Sequence, residues 1–177
     1  RLGTLIVHER SEPLEVARSV PDADVLIVNK AAVREEHLRL FPSLKFITVV
    51  ATGFDNVDVA AARRRGIPVS NVPEYGTASV AQFAFALLLE LCHHVGDHDR
   101  SVKAGDWTDC PDFCYWRHPL VELDGLTMGI VGFGRIGRRV GEIAHGFGMS
   151  VLACDFAPSA APAYSPFQWR DLDALFS

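Results

Sequence analysis

The sequence predicts an α/β fold in two parts, each built on a parallel sheet. Three observations carry this. Short runs rich in β-branched residues recur, namely "TLIVH" (4–8), "DVLIVN" (24–29), "LKFITVV" (44–50) and "IPVSN" (67–71). Helical patterns separate them over 11–20, 31–40 and 56–66. The alternation then stops near residue 72 and starts again at 126. Strands that are apolar on both faces and joined through helices are what a covered parallel sheet with right-handed crossovers requires.

Each element has its own justification. Ser11 with Pro13 behind it suits a helix start, and Gly66 suits a helix stop. "VPEYG" (72–76) is a turn or hinge, and it places the domain boundary at 1–73 and 74–177. From Thr77 one long helix is expected to about Lys103. Its apolar run, "VAQFAFALLLELC" (80–92), is shorter than the roughly 20 residues of a membrane span. With Glu90 and the histidines that follow, it reads as a buried amphipathic helix rather than a membrane segment. Residues 106–125 have no clear period. Their aromatics Trp107, Phe113, Tyr115 and Trp116 need something to pack on, either their own domain or a neighbouring subunit. A second α/β pattern follows: a strand at "LTMGIVG" (126–132), a helix over 135–148, a strand at "SVLACD" (150–155), a surface loop over 158–166, and a helix that begins within "QWRDLDALF" (168–176).

Composition excludes several classes of function. The 177 residues are 49% hydrophobic and 22% charged, which is enough apolar matter for a real core. The formal net charge is −5, and the densest basic run, Arg63-Arg64-Arg65, sits at a helix end where cations suit the dipole. Nucleic-acid binding is therefore not expected. Of the four cysteines, Cys92 and Cys154 lie in apolar stretches and read as core thiols. Cys110 and Cys114, with His118 or with His94 and His98, do not have the spacing of a zinc site, so no metal is expected. Free thiols and the lack of an opening signal peptide point to a cytoplasmic protein.

The strongest motif is "GFGRIG". Gly132, Gly134 and Gly137 form G-x-G-x-x-G between an apolar strand and a helix. Gly132 permits the tight turn, Gly134 lets the backbone approach a pyrophosphate, and Gly137 lets the helix pack closely. The helix N-terminus at Arg135 and Ile136 then faces a diphosphate. Asp155, 18 residues past Gly137, ends the next strand, where a carboxylate accepts hydrogen bonds from ribose hydroxyls and repels a 2′-phosphate. NAD is thus favoured over NADP.

Taken together, "ATGFDNVD", "NVPEYGTASVAQ" and "GFGRIG" at these separations resemble the D-isomer specific 2-hydroxyacid dehydrogenase family. "DFCYWRHPLVELDGLTMGIVGFGRIG" is similar to its glycerate dehydrogenase and hydroxypyruvate (glyoxylate) reductase branch. The resemblance implies a flavodoxin-like substrate (lid) domain followed by the first part of a Rossmann NAD-binding domain. It also implies hydride transfer between the coenzyme and a small D-2-hydroxy or 2-oxo acid. Thr52 and Gly53 would hold the substrate carboxylate, with Asn71 and Tyr75 lining the cleft; the alternative for all four is ordinary turn chemistry. Thr77 and Val80 would pack against the nicotinamide, although Val80 also reads as simple core. A homodimer would form through the helix 77–103 and the loop 105–120. The family's arginine, glutamate and histidine would lie beyond Ser177, and one strand and helix would precede residue 4. Alternatives are a catalytically silent NAD-binding or dimerising module of the same family, or a relative acting on formate or phosphite. Residues 1–177 alone are expected not to oxidise NADH with hydroxypyruvate, whereas a longer polypeptide is; turnover by residues 1–177 overturns the placement of the proton-transfer groups.

Overall fold

The computed structural model describes residues 3–9 and 12–177, in two compact units that span 1–75 and 76–177. In the first, β1 (Val25–Val28), β2 (Phe46–Val49) and β3 (Val69–Ser70) form a parallel sheet in that order. The central strand must be apolar on both faces. Its residues Ile47 and Val49 are fully buried, in one cluster with Leu26 of β1, Ala17 of α1 (Pro13–Ser19), Leu38 of α2 (Glu35–Leu38) and Ala61 and Ala62 of α3 (Val59–Arg64). Asp58 caps α3 by accepting from the Ala61 amide at 2.8 Å. Gly66, at φ 69°, turns the chain out of that helix, and the Ile67 amide closes back on the Ala62 carbonyl at 2.9 Å.

Two expectations fail here. Residues 4–8 form no strand: Leu5 and Val7 are each 73% exposed, and β1 is an edge strand of the described sheet. β-branched composition does not make a strand without a neighbour to pair with. The helix expected over 31–40 shrinks to the single turn of α2. Val33 is claimed by a bridge to Val57, and the Asn56 side-chain amide donates to the carbonyls of Asn29 and Ala31 at 3.2 and 3.0 Å. These long-range bonds outcompete local helix formation. Ser11, the expected helix start, lies outside the described residues.

The second unit opens with α4 (Thr77–His93) and α5 (Val95–Ala104). The expected single helix is broken at His94, whose left-handed φ of 49° bends the pair by 55°. Both carboxylate oxygens of Glu90 accept from the Gly96 amide at 3.2 Å, which closes the break. A side chain at Gly96 would crowd that carboxylate. Among the described residues no single helix is long and apolar enough to cross a membrane.

β4 (Thr127–Val131), β5 (Ser150–Cys154) and β6 (Phe167–Trp169) form the second parallel sheet, with α6 (Arg135–Gly146) linking β4 to β5. α4 packs on α6, and Phe85, Ile130, Phe133, Ala144, Met149, Val151 and Ala153 fill the core. β6 is a correction. The helix expected from "QWRDLDALF" (168–176) does not start there: 167–169 pairs with 151–153, and α7 (Leu172–Leu175) starts only after Asp171 caps it at the Ala174 amide. Period-2 alternation explains this. Phe167 and Trp169 share a face and meet the Phe133 ring with centroids 5.1 and 5.4 Å away.

Candidate functional site

The glycine turn joins β4 to α6. Gly132, at φ 90°, holds a backbone that other residues rarely adopt, and its amide donates to the Cys154 carbonyl at 2.8 Å. Gly134 is the N-cap of α6 with no side chain bonded there, and a Cβ on it would enter open space. Gly137 is buried one turn later, where a Cβ would collide with the Gly132 carbonyl oxygen and crowd Ile130. The helix therefore starts directly against the turn. Its first turn carries no acidic residue, and Arg135 and Ile136 are exposed at its mouth.

Asp155 completes the arrangement. Its Oδ2 accepts from the Phe133 amide at 2.6 Å and its Oδ1 from the Ala157 amide at 3.1 Å. The backbone amides of Ala157, Phe133 and Phe156 hold this carboxyl below the usual carboxylate range, against a smaller opposing effect of desolvation. The stabilisation it contributes is therefore present above the ordinary aspartate pKa of about 3.9 and is lost only as pH falls through the lower folded value. An N-terminal helix end, a turn whose glycines leave its outer side open while Phe133 points into the core, and an ionised carboxylate at the next strand end suit a diphosphate and a diol. The residues present fit a dinucleotide.

Gly132, Gly134, Arg135, Ile136, Gly137 and Asp155 are thus brought together. Thr77 and Val80 lie on α4. Neither lines the groove between α4 and α6, which is formed by Ala78, Gln82, Phe85, Ala86 and Leu89 opposite Arg139 and Ile143. Val80 belongs instead to an exposed apolar stripe with Phe83, Leu87 and Leu91.

In the first unit, Thr52, Gly53 and Asn71 meet at the carboxyl ends of β2 and β3. The Thr52 hydroxyl donates to the Val72 carbonyl at 3.1 Å, and the Asn71 amide donates to the Thr52 carbonyl at 2.9 Å. Both side chains brace the loop. Tyr75 is exposed at the end of this unit.

The irregular segment after α5 is pinned to that helix. Ser101, the one buried polar side chain among the described residues, donates to Asp106 at 2.6 Å and lies 2.9 Å from the Tyr115 hydroxyl. His118 meets Asp97 at 3.0 Å. Tyr115 is therefore held inward and not exposed as expected, while Trp107, Phe113 and Trp116 stay exposed. Sequence reasoning missed Phe133, fully buried and central to the turn; its place between two motif glycines was the available signal.

Residues 1–167 match the profile of the D-isomer specific 2-hydroxyacid dehydrogenase catalytic domain. The chain belongs to this family. Among dehydrogenases of the family, it is 47% identical to a hydroxypyruvate reductase of Blautia hydrogenotrophica, over 99% of this chain and 56% of the relative. It is 36% identical to a glycerate dehydrogenase of Methylorubrum extorquens, over 82% of this chain and 46% of the relative. It superposes on D-lactate dehydrogenase from Aquifex aeolicus, solved with NAD and lactic acid, with a TM-score of 0.74 at 31% identity, covering 90% of this chain and 46% of that one. The chain spans about half the length of the curated relatives it matches.

Replacing Gly137 by Ala is expected to lower unfolding free energy by about 3 kcal/mol, the upper range for forced overpacking, because a backbone oxygen cannot swing aside. Urea titration checks this; an unchanged midpoint contradicts the close packing of helix on turn.

Proposed function

We propose that the chain is part of an NAD-dependent oxidoreductase that interconverts a small D-2-hydroxy acid and its 2-oxo acid, of the glycerate/hydroxypyruvate or glyoxylate type. The single observation that carries this is the Gly132–Gly137 turn bonded to Asp155, in a chain similar to a hydroxypyruvate reductase over nearly all its length. A bound nicotinamide coenzyme supplies the hydride donor or acceptor. The chain's own residues bind and orient it: amides of the turn and of the α6 N-terminus face the diphosphate, and the Asp155 carboxylate accepts from the ribose hydroxyls. The charge on Asp155 disfavours a 2′-phosphate, which supports NAD over NADP. Loop 52–53, braced by Asn71, offers backbone to the substrate carboxylate, and the exposed Tyr75 lines the cleft.

The test follows NADH absorbance on addition of hydroxypyruvate, glyoxylate and pyruvate to a polypeptide extended to the length of the relatives. Oxidation with the first two supports the proposal. Binding of NADH without turnover on any of the three favours the silent-module reading. In the same protein, Asp155→Ala is expected to weaken NAD binding by about tenfold, the scale of one lost hydrogen bond to a charged group, and NADP binding less. Equal losses would mean that Asp155 does not read the ribose.

The homodimer belongs to this proposal as well. The Val80, Phe83, Leu87, Leu91 stripe of α4 is exposed. Exposed apolar stripes of this kind mark interaction surfaces. Sedimentation equilibrium is expected to give twice the chain mass for the wild type and a monomer for Leu87→Glu; a monomeric wild type removes the dimer. The cytoplasmic location is proposed on the free thiols.

A further inference from the structure

Downstream of Asp155 the chain runs over α6 with little to hold it. Residues 156–161 are exposed, Phe156 fully so, and burial therefore contributes nothing to their placement. Besides Asp155, which accepts from the Ala157 amide, Arg138 reaches them. Arg138, the fourth residue of α6, is half-buried; its guanidinium lies 5.1 Å from the centre of the Phe133 ring and donates to the Ser159 hydroxyl and, at 2.6 Å, to the Ala160 carbonyl. Farther on, the Tyr164 ring stacks on His145 at 4.9 Å and anchors the far end of the segment.

These contacts form a chain of cause that ends at the site. Arg138 holds residues 159 and 160. That placement holds the Ala157 amide, which donates to Asp155 Oδ1. Asp155 Oδ2 is already committed to the Phe133 amide, and the Phe133 ring is the platform under the guanidinium. One terminal nitrogen of the cation, Nη2, is thereby committed to the segment. A guanidinium engaged in two donations and a stacking contact has fewer N–H groups left for a phosphate.

We infer that Arg138 is a positioning residue for coenzyme discrimination: it clamps residues 156–160 so that Asp155 presents its carboxylate to the ribose in one orientation. This rests on the coenzyme reading given under Proposed function.

The test uses Arg138→Ala, Arg138→Lys and Ser159→Ala in the extended protein. NADH and NADPH affinities are read by fluorescence titration, and amide hydrogen exchange is read over 156–160. Arg138→Ala is expected to raise the NADH Kd about tenfold, as for one charge-assisted hydrogen bond lost, and the NADPH Kd much less. The preference ratio then falls while the Ala157 amide exchanges faster. Arg138→Lys is expected to restore part of both, because an ammonium keeps the charge and N–H donors but loses the planar contact with the Phe133 ring. Ser159→Ala, which leaves α6 untouched, is expected to shift the ratio in the same direction. An unchanged ratio in Arg138→Ala and Ser159→Ala overturns the coenzyme role, and unchanged exchange overturns the clamp. A wild type that binds neither coenzyme overturns the proposed function and the discrimination together, and exchange then decides the clamp alone.

Discussion

The hydrogen bond from the Phe133 amide to Asp155 is the constraint on which the second unit depends. At 2.6 Å it joins the turn after β4 to the end of β5, beside the Gly132 amide's bond to Cys154. A bond to a carboxylate is stronger than one between neutral groups. The same residue sends its ring into the core, against Phe167 and Trp169. Backbone and side chain of Phe133 thus serve two masters, and neither the turn nor the aromatic cluster can shift without the other. Gly137 adds the third fixed point by bringing α6 against the Gly132 carbonyl. The turn is consequently held by its surroundings on three sides.

Much of this was legible in the residues. The β-branched runs at 24–29, 44–50 and 150–155 became strands because each has a paired neighbour and at least one face that packs into a core. The glycine spacing and Asp155 were readable because φ > 0, close approach and a strand-end acid each demand particular residue types. Residues 4–8, by contrast, have the composition of a strand, and composition says nothing of whether a partner exists. The one-turn α2 was hidden because its competitor, the Val33–Val57 bridge, is set by a residue 24 positions away. β6 was hidden because three residues are too few to show a period against the helical pattern that follows.

The segment 106–120 illustrates a different sort of order. Its ties to α5 combine the Ser101 hydrogen bonds with the pairs of Arg117 and His118 on Asp97, while Arg117 also pairs with Asp106 inside the segment, and exposed pairs contribute little singly. The neighbouring histidine and arginines hold the Asp97 carboxyl below its usual range, the His118 hydrogen bond being the largest cause. Shared acceptors make the ties cooperative: Asp97 faces His118, Arg117 and Arg100 at once, and Asp106 joins Ser101 to Arg117. Register, more than stability, is what such a mesh supplies, and it leaves Trp107, Phe113 and Trp116 facing outward.

The break at His94 has a consequence for how this lineage can vary. A left-handed torsion costs a non-glycine residue about 1–2 kcal/mol, and here the imidazole is engaged on His118 with ring centres 4.5 Å apart. The aromatic segment takes its direction from that single torsion. One residue inserted into α4 would swing everything after it by about 100° and advance it by about 1.5 Å, carrying the tryptophans away from any surface that matches them. The six-residue spacing between Glu90 and Gly96 thus acts as a ruler that sets the heading of the chain after α4.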